Sequence, residues 1–237
     1  MAIELFKTSL FNDANLIAYY RFNSGALVTD SKGSFTLTNN NTVGETTGRF
    51  GIGADFGSSN STKYFSRNDG VFTSQNKTLS LWVKLNAEIS SGEWYFAWSY
   101  NKTDGRLHAI SYQYNSGTRR LCFNCGKVDV AVQDFTYNTT LGTSSWHNIV
   151  LTFNGSVIKG YLDGSPVGNL NSTGNGATIY LDGFGIGNFL SLFDRNPGSG
   201  YPSAIIDDVA LFSRALSDDE ILLLYKQIDP GGFFNFF

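Results

Sequence analysis

Apolar and polar residues alternate along short stretches of this chain, and the alternation restarts after almost every Gly, Asn or Asp. In Thr78–Leu85, Leu79, Leu81, Val83 and Leu85 fall on one side of an extended chain and Ser80, Trp82 and Lys84 on the other. That period of two marks a strand with one face on a core. The same reading predicts strands at 16–22, 35–39, 52–57, 63–67, 78–85, 94–100, 107–114, 119–123, 127–133, 147–153, 157–162, 178–181, 184–188 and 205–212. Asp163-Gly164 between two of them is a two-residue hairpin signal. So many short strands predict an all-β fold of two packed antiparallel sheets, and the lack of a long internal repeat argues against a propeller or solenoid.

One segment has the other period. Ser217 stands at a helix N-cap with Glu220 three residues on, a capping box, and Leu216 with Ile221 has the spacing of a hydrophobic staple. Ile221, Leu224, Tyr225 and Ile228 recur at helical spacing, which predicts one short helix over 217–227. Just before it, alternation places Ile205, Asp207, Val209 and Leu211 on one face of a strand and Ile206, Asp208, Ala210 and Phe212 on the other. Each face then carries a carboxylate that needs a partner.

A net charge of −3 with 16% charged residues over 237 positions argues against a nucleic-acid partner. No stretch is long and apolar enough to span a membrane, and the first residues do not form a secretory signal. The expected location is extracellular or a virion surface, either as a mature chain trimmed of its leader or by a route other than general secretion. Cys122 and Cys125 with two distant histidines make a poor zinc site, leaving a local disulfide or two free thiols. Neither His108 nor His147 has an acid beside it in sequence, and no G-x-S-x-G elbow occurs.

Several motifs follow one another in a familiar order: LIAYYRF, Asp30 in VTDSKGS, GRFGIGADFG, TLSLWVKL, SSWHNIVLTFNGSVIKGYLDG, LDGFGIGN and IIDDVALFSRALSDDE. Over roughly residues 16–226 the chain resembles the laminin-G-like, concanavalin A-like lectin/glucanase jelly rolls. The resemblance implies an antiparallel two-sheet jelly-roll sandwich with one short C-terminal helix, a domain at 16–228 between an N-terminal extension at 1–15 and a Gly/Phe-rich tail at 229–237. It also implies a structural Ca2+ ion tying the first strand's loop to the last strand, with Asp30, Asp207 and carbonyls near Gly33 or Gly57 at the matching positions. The residues themselves equally allow Asp207 to accept backbone hydrogen bonds and Asp30 to make a turn. The related glucanases carry their acids on one strand as E-x-D-x-E or E-x-D-x-x-E, and no such string occurs here. A non-catalytic module is therefore expected, with a glycoside hydrolase as the lesser alternative.

Aromatic residues crowd Trp94, Tyr95, Phe96, Trp98 and Tyr100, then Tyr112 and Tyr114. Alternation puts Trp94, Phe96, Trp98 and Tyr100 on one face, with Phe96 and Trp98 assigned to the core. Trp94, Tyr112 and Tyr114 are the expected exposed platform for a glycan. A second rim is expected in the 189–203 loop, from Phe193, Asp194, Arg195 and Tyr201. The expected function is glycan recognition or adhesion at a cell or virion surface. The competing reading is a structural or decoration protein of a particle. Apolar ends, Leu5, Phe6, Leu10 and Phe11 at the start and Phe233, Phe234, Phe236 and Phe237 after Gly231-Gly232, predict self-association or attachment to a larger assembly. Alternatively the tail covers the sandwich's own edge.

Overall fold

The computed structural model describes residues 9–58, 62–68, 76–100, 106–127, 131–171, 183–187 and 202–226. A 3-10 turn at Ser9–Asn12 precedes β1 (Leu16–Tyr20), β2 (Thr38–Asn40), β3 (Gly44–Thr47), β4 (Ile52–Asp55), β5 (Tyr64–Arg67), β6 (Lys77–Leu85), β7 (Gly92–Tyr100) and β8 (Arg106–Asn115). Then come β9 (Thr118–Lys127), β10 (Ala131–Asn138), β11 (His147–Phe153), β12 (Val157–Leu162), β13 (Ser165–Asn171), β14 (Gly183–Gly187), β15 (Ala204–Phe212) and α1 (Asp218–Lys226).

Among the described residues one sheet has eight strands in the order β13-β12-β11-β6-β15-β4-β3, with β1 also on β15, and the other has seven, β10-β9-β8-β7-β14-β5-β2. The strand pairs are antiparallel. Leu79, Leu81, Val83 and Leu85 of β6 meet Phe96, Ile110, Leu121 and Phe123 of the opposite sheet in one buried cluster. The fold is the two-sheet antiparallel sandwich with one short helix that the pattern predicted. Two strands were not foreseen, β3 (GETT) and β13 (SPVGNLN). Both are sheet edges, where solvated faces impose no hydrophobic period. The strand expected at 127–133 is instead the end of β9 and the start of β10, and the one expected at 178–181 lies outside the described residues.

The last strand corrects a simple alternation. The β15–β6 register shifts between Asp207 and Ala210, and Asp208 sits at φ 53. This bulge inserts an extra residue, so Ile206, Val209 and Leu211 face the sandwich interior while Ala210 and Phe212 face outward toward α1. The two acids sit at the bulge, outside the apolar sequence of the core face. On the outer side Ile221 and Leu224 of α1 pack with Leu10, Leu16, Tyr19, Val150, Tyr161 and Phe212. Leu10 is therefore core-like, and Phe11 meets Tyr19 edge-on with centroids 6.0 Å apart. Neither belongs to an exposed apolar end.

The helix starts as predicted. The Glu220 amide donates to Ser217 Oγ at 3.3 Å and the Ser217 amide to Glu220 Oε2 at 2.8 Å. The Asp163-Gly164 turn takes positive φ at both residues, 52 and 76, as a type I′ hairpin requires. Gly164 has a second reason to be glycine, since a Cβ there would meet Tyr225 of α1 at 2.9 Å.

Candidate functional site

The seven-stranded sheet's outward face is set by the register of β7, β8, β9 and β10. Trp94 pairs with Tyr112, and Tyr112 with Leu121. All three are buried in the interior cluster. Trp94 is 5% exposed and Tyr112 0%, so neither is the surface platform expected of it. Large aromatic rings gain most where water is excluded. Tyr112 also orders a loop from within: its hydroxyl donates to Glu88 at 3.0 Å and accepts from the Leu141 amide at 3.2 Å. Burial, then the neighbouring Glu88, pushes this phenol up to about 12. Tyr114 is half-buried under the Arg119 guanidinium, 5.3 Å from the ring centroid.

A further shift between Tyr95 and Ala97 breaks the expected Trp94–Phe96–Trp98–Tyr100 row. Phe96 and Ala97 both join the interior cluster, and Trp98, fully buried as expected, has moved to the other phase of the strand.

The outward face therefore belongs to the intervening residues. Glu93 opposes Gln113, which opposes Arg120, and Tyr95 opposes Ser111, which opposes Cys122 and then Thr136. Asn124 opposes Asp134. This is a polar surface held by its own hydrogen bonds. Glu93 accepts from Tyr95 Oη at 3.1 Å and from Ser111 Oγ, Ser111 Oγ accepts from Asn124 Nδ2 at 3.2 Å, and Arg120 Nε donates to Gln113 Oε1 at 2.9 Å. At its end a groove of about 340 Å³ is lined by Gly92, Glu93, Gln113, Tyr114, Asn115 and Arg120. Of these only Tyr114 was singled out from sequence as a binding residue. The missed signal was the polar set Glu93, Gln113 and Arg120, whose phase is opposite to that of the large aromatics.

Cys122 is a free, fully buried thiol on this face. Burial, then Glu93, pushes it up to about 12. Cys125 stands three positions further along the same strand, ~10 Å of extended backbone, a Cα separation no disulfide spans. Of the two readings open from sequence, the free thiol is the one the geometry fits for Cys122, and its raised pKa makes it a poor nucleophile.

The expected metal residues hold backbone. Asp30 is buried, with Oδ1 accepting the amides of Tyr19 and Lys32, both at 2.9 Å, and Oδ2 that of Phe35 at 3.2 Å. Asp207 accepts the Phe50 amide at 2.9 Å and the Asp208 amide at 2.8 Å. Gly48 makes this approach feasible, since a Cβ there would lie 2.5 Å from Asp207 Oδ2. The Gly57 carbonyl accepts from Asn86 and Ser203, both at 3.2 Å, and Gly33 lies against Asp30 Oδ2. Amide hydrogens point at each carboxylate where a cation would otherwise approach. Among the described residues no three His, Cys, Asp or Glu side chains are grouped to hold a metal ion. The geometry fits two backbone-capping aspartates better than a calcium cage.

His147 does have an acid beside it, contrary to the linear reading. Its Nδ1 is 2.8 Å from Asp163 Oδ2 and its Nε2 2.8 Å from the Leu141 carbonyl. Both partners accept, which favours the doubly protonated ring, and the Asp163 hydrogen bond raises its pKa above the ordinary value. With both nitrogens occupied, His147 is a strut between hairpin and loop. Phe193, Asp194, Arg195 and Tyr201, and Phe233, Phe234, Phe236 and Phe237, lie outside the described residues.

With fold and surfaces in place, the chain's kinship is clear: it belongs to the concanavalin A-like lectin/glucanases superfamily, whose laminin G-type family model matches residues 58–222. No curated protein matches it in sequence. Among solved structures it is similar to domain 4 of AbnA, a GH43 extracellular arabinanase of Geobacillus stearothermophilus, solved with arabinotriose. The TM-score is 0.65 at 18% identity, covering 89% of this chain and 98% of that one. It is also similar to the binding domain of botulinum neurotoxin DC, solved with rat synaptotagmin II, at TM-score 0.68 and 14% identity, and to a botulinum neurotoxin type C structure concerned with two ganglioside molecules, at 0.67 and 14%. The chain spans about half of each toxin structure, 51% of its length. These likenesses establish the fold.

Proposed function

We propose that the chain is a non-catalytic carbohydrate-binding module that engages glycan on the outward face of the seven-stranded sheet. The observation that carries this reading is the row of partly exposed polar side chains, Glu93, Gln113 and Arg120, flanked by the half-exposed ring of Tyr95 and running into a groove. Charged and amide groups supply directional hydrogen bonds to hydroxyls, and Tyr95 a plane for a sugar's C–H face. The arabinanase domain solved with arabinotriose and the ganglioside-linked toxin lend support by sharing the fold. Hydrolysis is disfavoured by spacing. Among the described residues Glu93 on β7 and Asp134 on β10 are the acids of this face, and three interstrand steps separate their strands by ~14 Å. Paired glycosidase carboxylates stand about 5–9.5 Å apart. The setting proposed is adhesion at an extracellular or virion surface.

A glycan array with the full chain tests this, read against Arg120→Ala and Glu93→Gln variants of unchanged melting temperature. Binding to a defined glycan class, reduced at least ~10-fold in both variants, is the expected result; loss of a bidentate charged contact is worth about that much. Binding that both variants retain would move the site elsewhere. Binding of a protein receptor with no glycan bound would replace the carbohydrate reading.

A further inference from the structure

The outer side of the eight-stranded sheet holds a second concavity, of about 460 Å³, lined by Arg49, Trp82, Ser145, Trp146, Tyr225 and Lys226. It lies between the β3–β4 turn, the outward side of β6, the segment before β11 and the C-terminal end of α1. Trp82 is its floor, 2% exposed, stacked on Tyr225 with centroids 5.8 Å apart and 22° between planes. Phe50 meets Trp82 edge-on at 6.1 Å. The Arg49 guanidinium lies 4.8 Å from the Trp82 ring centroid and 5.1 Å from that of Phe50.

This arrangement places a cation by stacking and, among the described residues, leaves its hydrogen-bond donors uncommitted. Among the described residues no carboxylate pairs with Arg49 or Lys226. Asp207, which contacts the same turn, accepts the amide of Phe50 instead. Trp146 and Tyr225 keep part of their surface open beside these two cations, and Ser145 adds a hydroxyl. A pocket with aromatic walls and two uncommitted cations is complementary to a ligand with both an apolar ring face and a negative charge.

We propose that this pocket binds an acidic sugar unit, a pyranose bearing a carboxylate. Its C–H face lies on Trp146 and Tyr225, and its carboxylate takes the fork of Arg49 with Lys226 assisting. Arg49 matches a planar carboxylate bidentately, and pairing in a partly dehydrated groove strengthens the contact. A bare inorganic anion gains nothing from the aromatic walls, and a neutral sugar leaves the two cations unused. The carbonyl end of α1 opposes an anion with about half a charge, which the two full positive charges outweigh. The site is on the opposite sheet from the groove of the proposed function and stands whether or not that groove binds.

The test titrates the full chain with 3′-sialyllactose, trigalacturonic acid, lactose and maltotriose, followed by tryptophan fluorescence and saturation-transfer NMR. At least one acidic saccharide is expected to bind at least ~10-fold more tightly than both neutral ones, and which one binds separates sialic from uronic acids. Arg49→Gln and Trp146→Ala are each expected to weaken binding at least ~10-fold at unchanged melting temperature. Added salt is expected to weaken it too. Should Arg49→Gln fail to fold, Lys226→Gln takes its place with a smaller expected loss. No binding of either acidic sugar, equal binding of neutral and acidic sugars, or affinity indifferent to both the cation variant and Trp146→Ala overturns the proposal.

Discussion

His147 and Asp163 stand at the two ends of a hairpin, and only the antiparallel return of β12 along β11 brings them into contact. The Asp163 hydrogen bond raises the histidine pKa, and burial opposes it without prevailing. A histidine whose folded pKa exceeds its unfolded one stabilises the fold fully below the unfolded value, 6.5, and loses that contribution as pH rises through the raised folded value. Thermal melts from pH 6 upward are expected to show wild-type stability declining through this window and a His147→Gln variant lacking that part of the decline. Parallel curves for the two proteins would remove the strut role.

At the scale of elements, Arg214 ties three segments into one unit. Its guanidinium donates to Asp13 Oδ2 at 2.9 Å through Nε and to Glu220 Oε2 at 2.8 Å through Nη1. Its carbonyl accepts from Thr78 Oγ1 at 2.8 Å. The Arg214 hydrogen bond dominates in pushing Glu220 down to about 2, with the capping contacts of Ser217 adding to it. Glu220 therefore contributes stability above its ordinary value of 4.5, lost as pH falls toward about 2. Arg214→Ala is expected to cost about 1–3 kcal/mol, since it breaks charged hydrogen bonds that are only partly screened. Denaturant melts measure this, and an undiminished acid midpoint in the variant would show the clasp to be idle. The capping box was legible because it is local. Arg214 to Asp13 spans the whole domain, and no local pattern announces it.

For the whole molecule, backbone amides meet the carboxylate oxygens of Asp30 and Asp207, the contacts that tie their loops to the sandwich. Melting temperatures in EDTA and in millimolar calcium are accordingly expected to coincide. A rise with calcium that Asp207→Ala abolishes would return the pair to a metal-binding role, because a ligand selective for the folded state must stabilise it. Closure of the sandwich divides the surface into two outward faces of different chemistry. The seven-stranded sheet presents hydrogen-bonded polar rows, and the eight-stranded one is covered by α1 with an aromatic and cationic hollow beside it.

Sequence alone determined the class of fold, because period-two alternation and turn residues are local properties that any strand must show. It determined α1 for the same reason, Ser217 and Glu220 being one turn apart. It also determined the β6 core face, where an unbroken strand keeps its phase. Tertiary structure decided the sites. One extra residue at Asp207–Asp208 and another after Tyr95 reverse the facing of everything beyond them, and bulges leave little trace in composition. The second of these is why Ala97 replaced Trp98 in the interior cluster, whereas Trp94 and Tyr112, ahead of it, went inside by plain alternation with Phe96 and left Glu93, Gln113 and Arg120 the surface. Arg49, Trp82, Trp146 and Tyr225 come from four separate segments of the chain, and only packing of helix and turn onto β6 makes them neighbours.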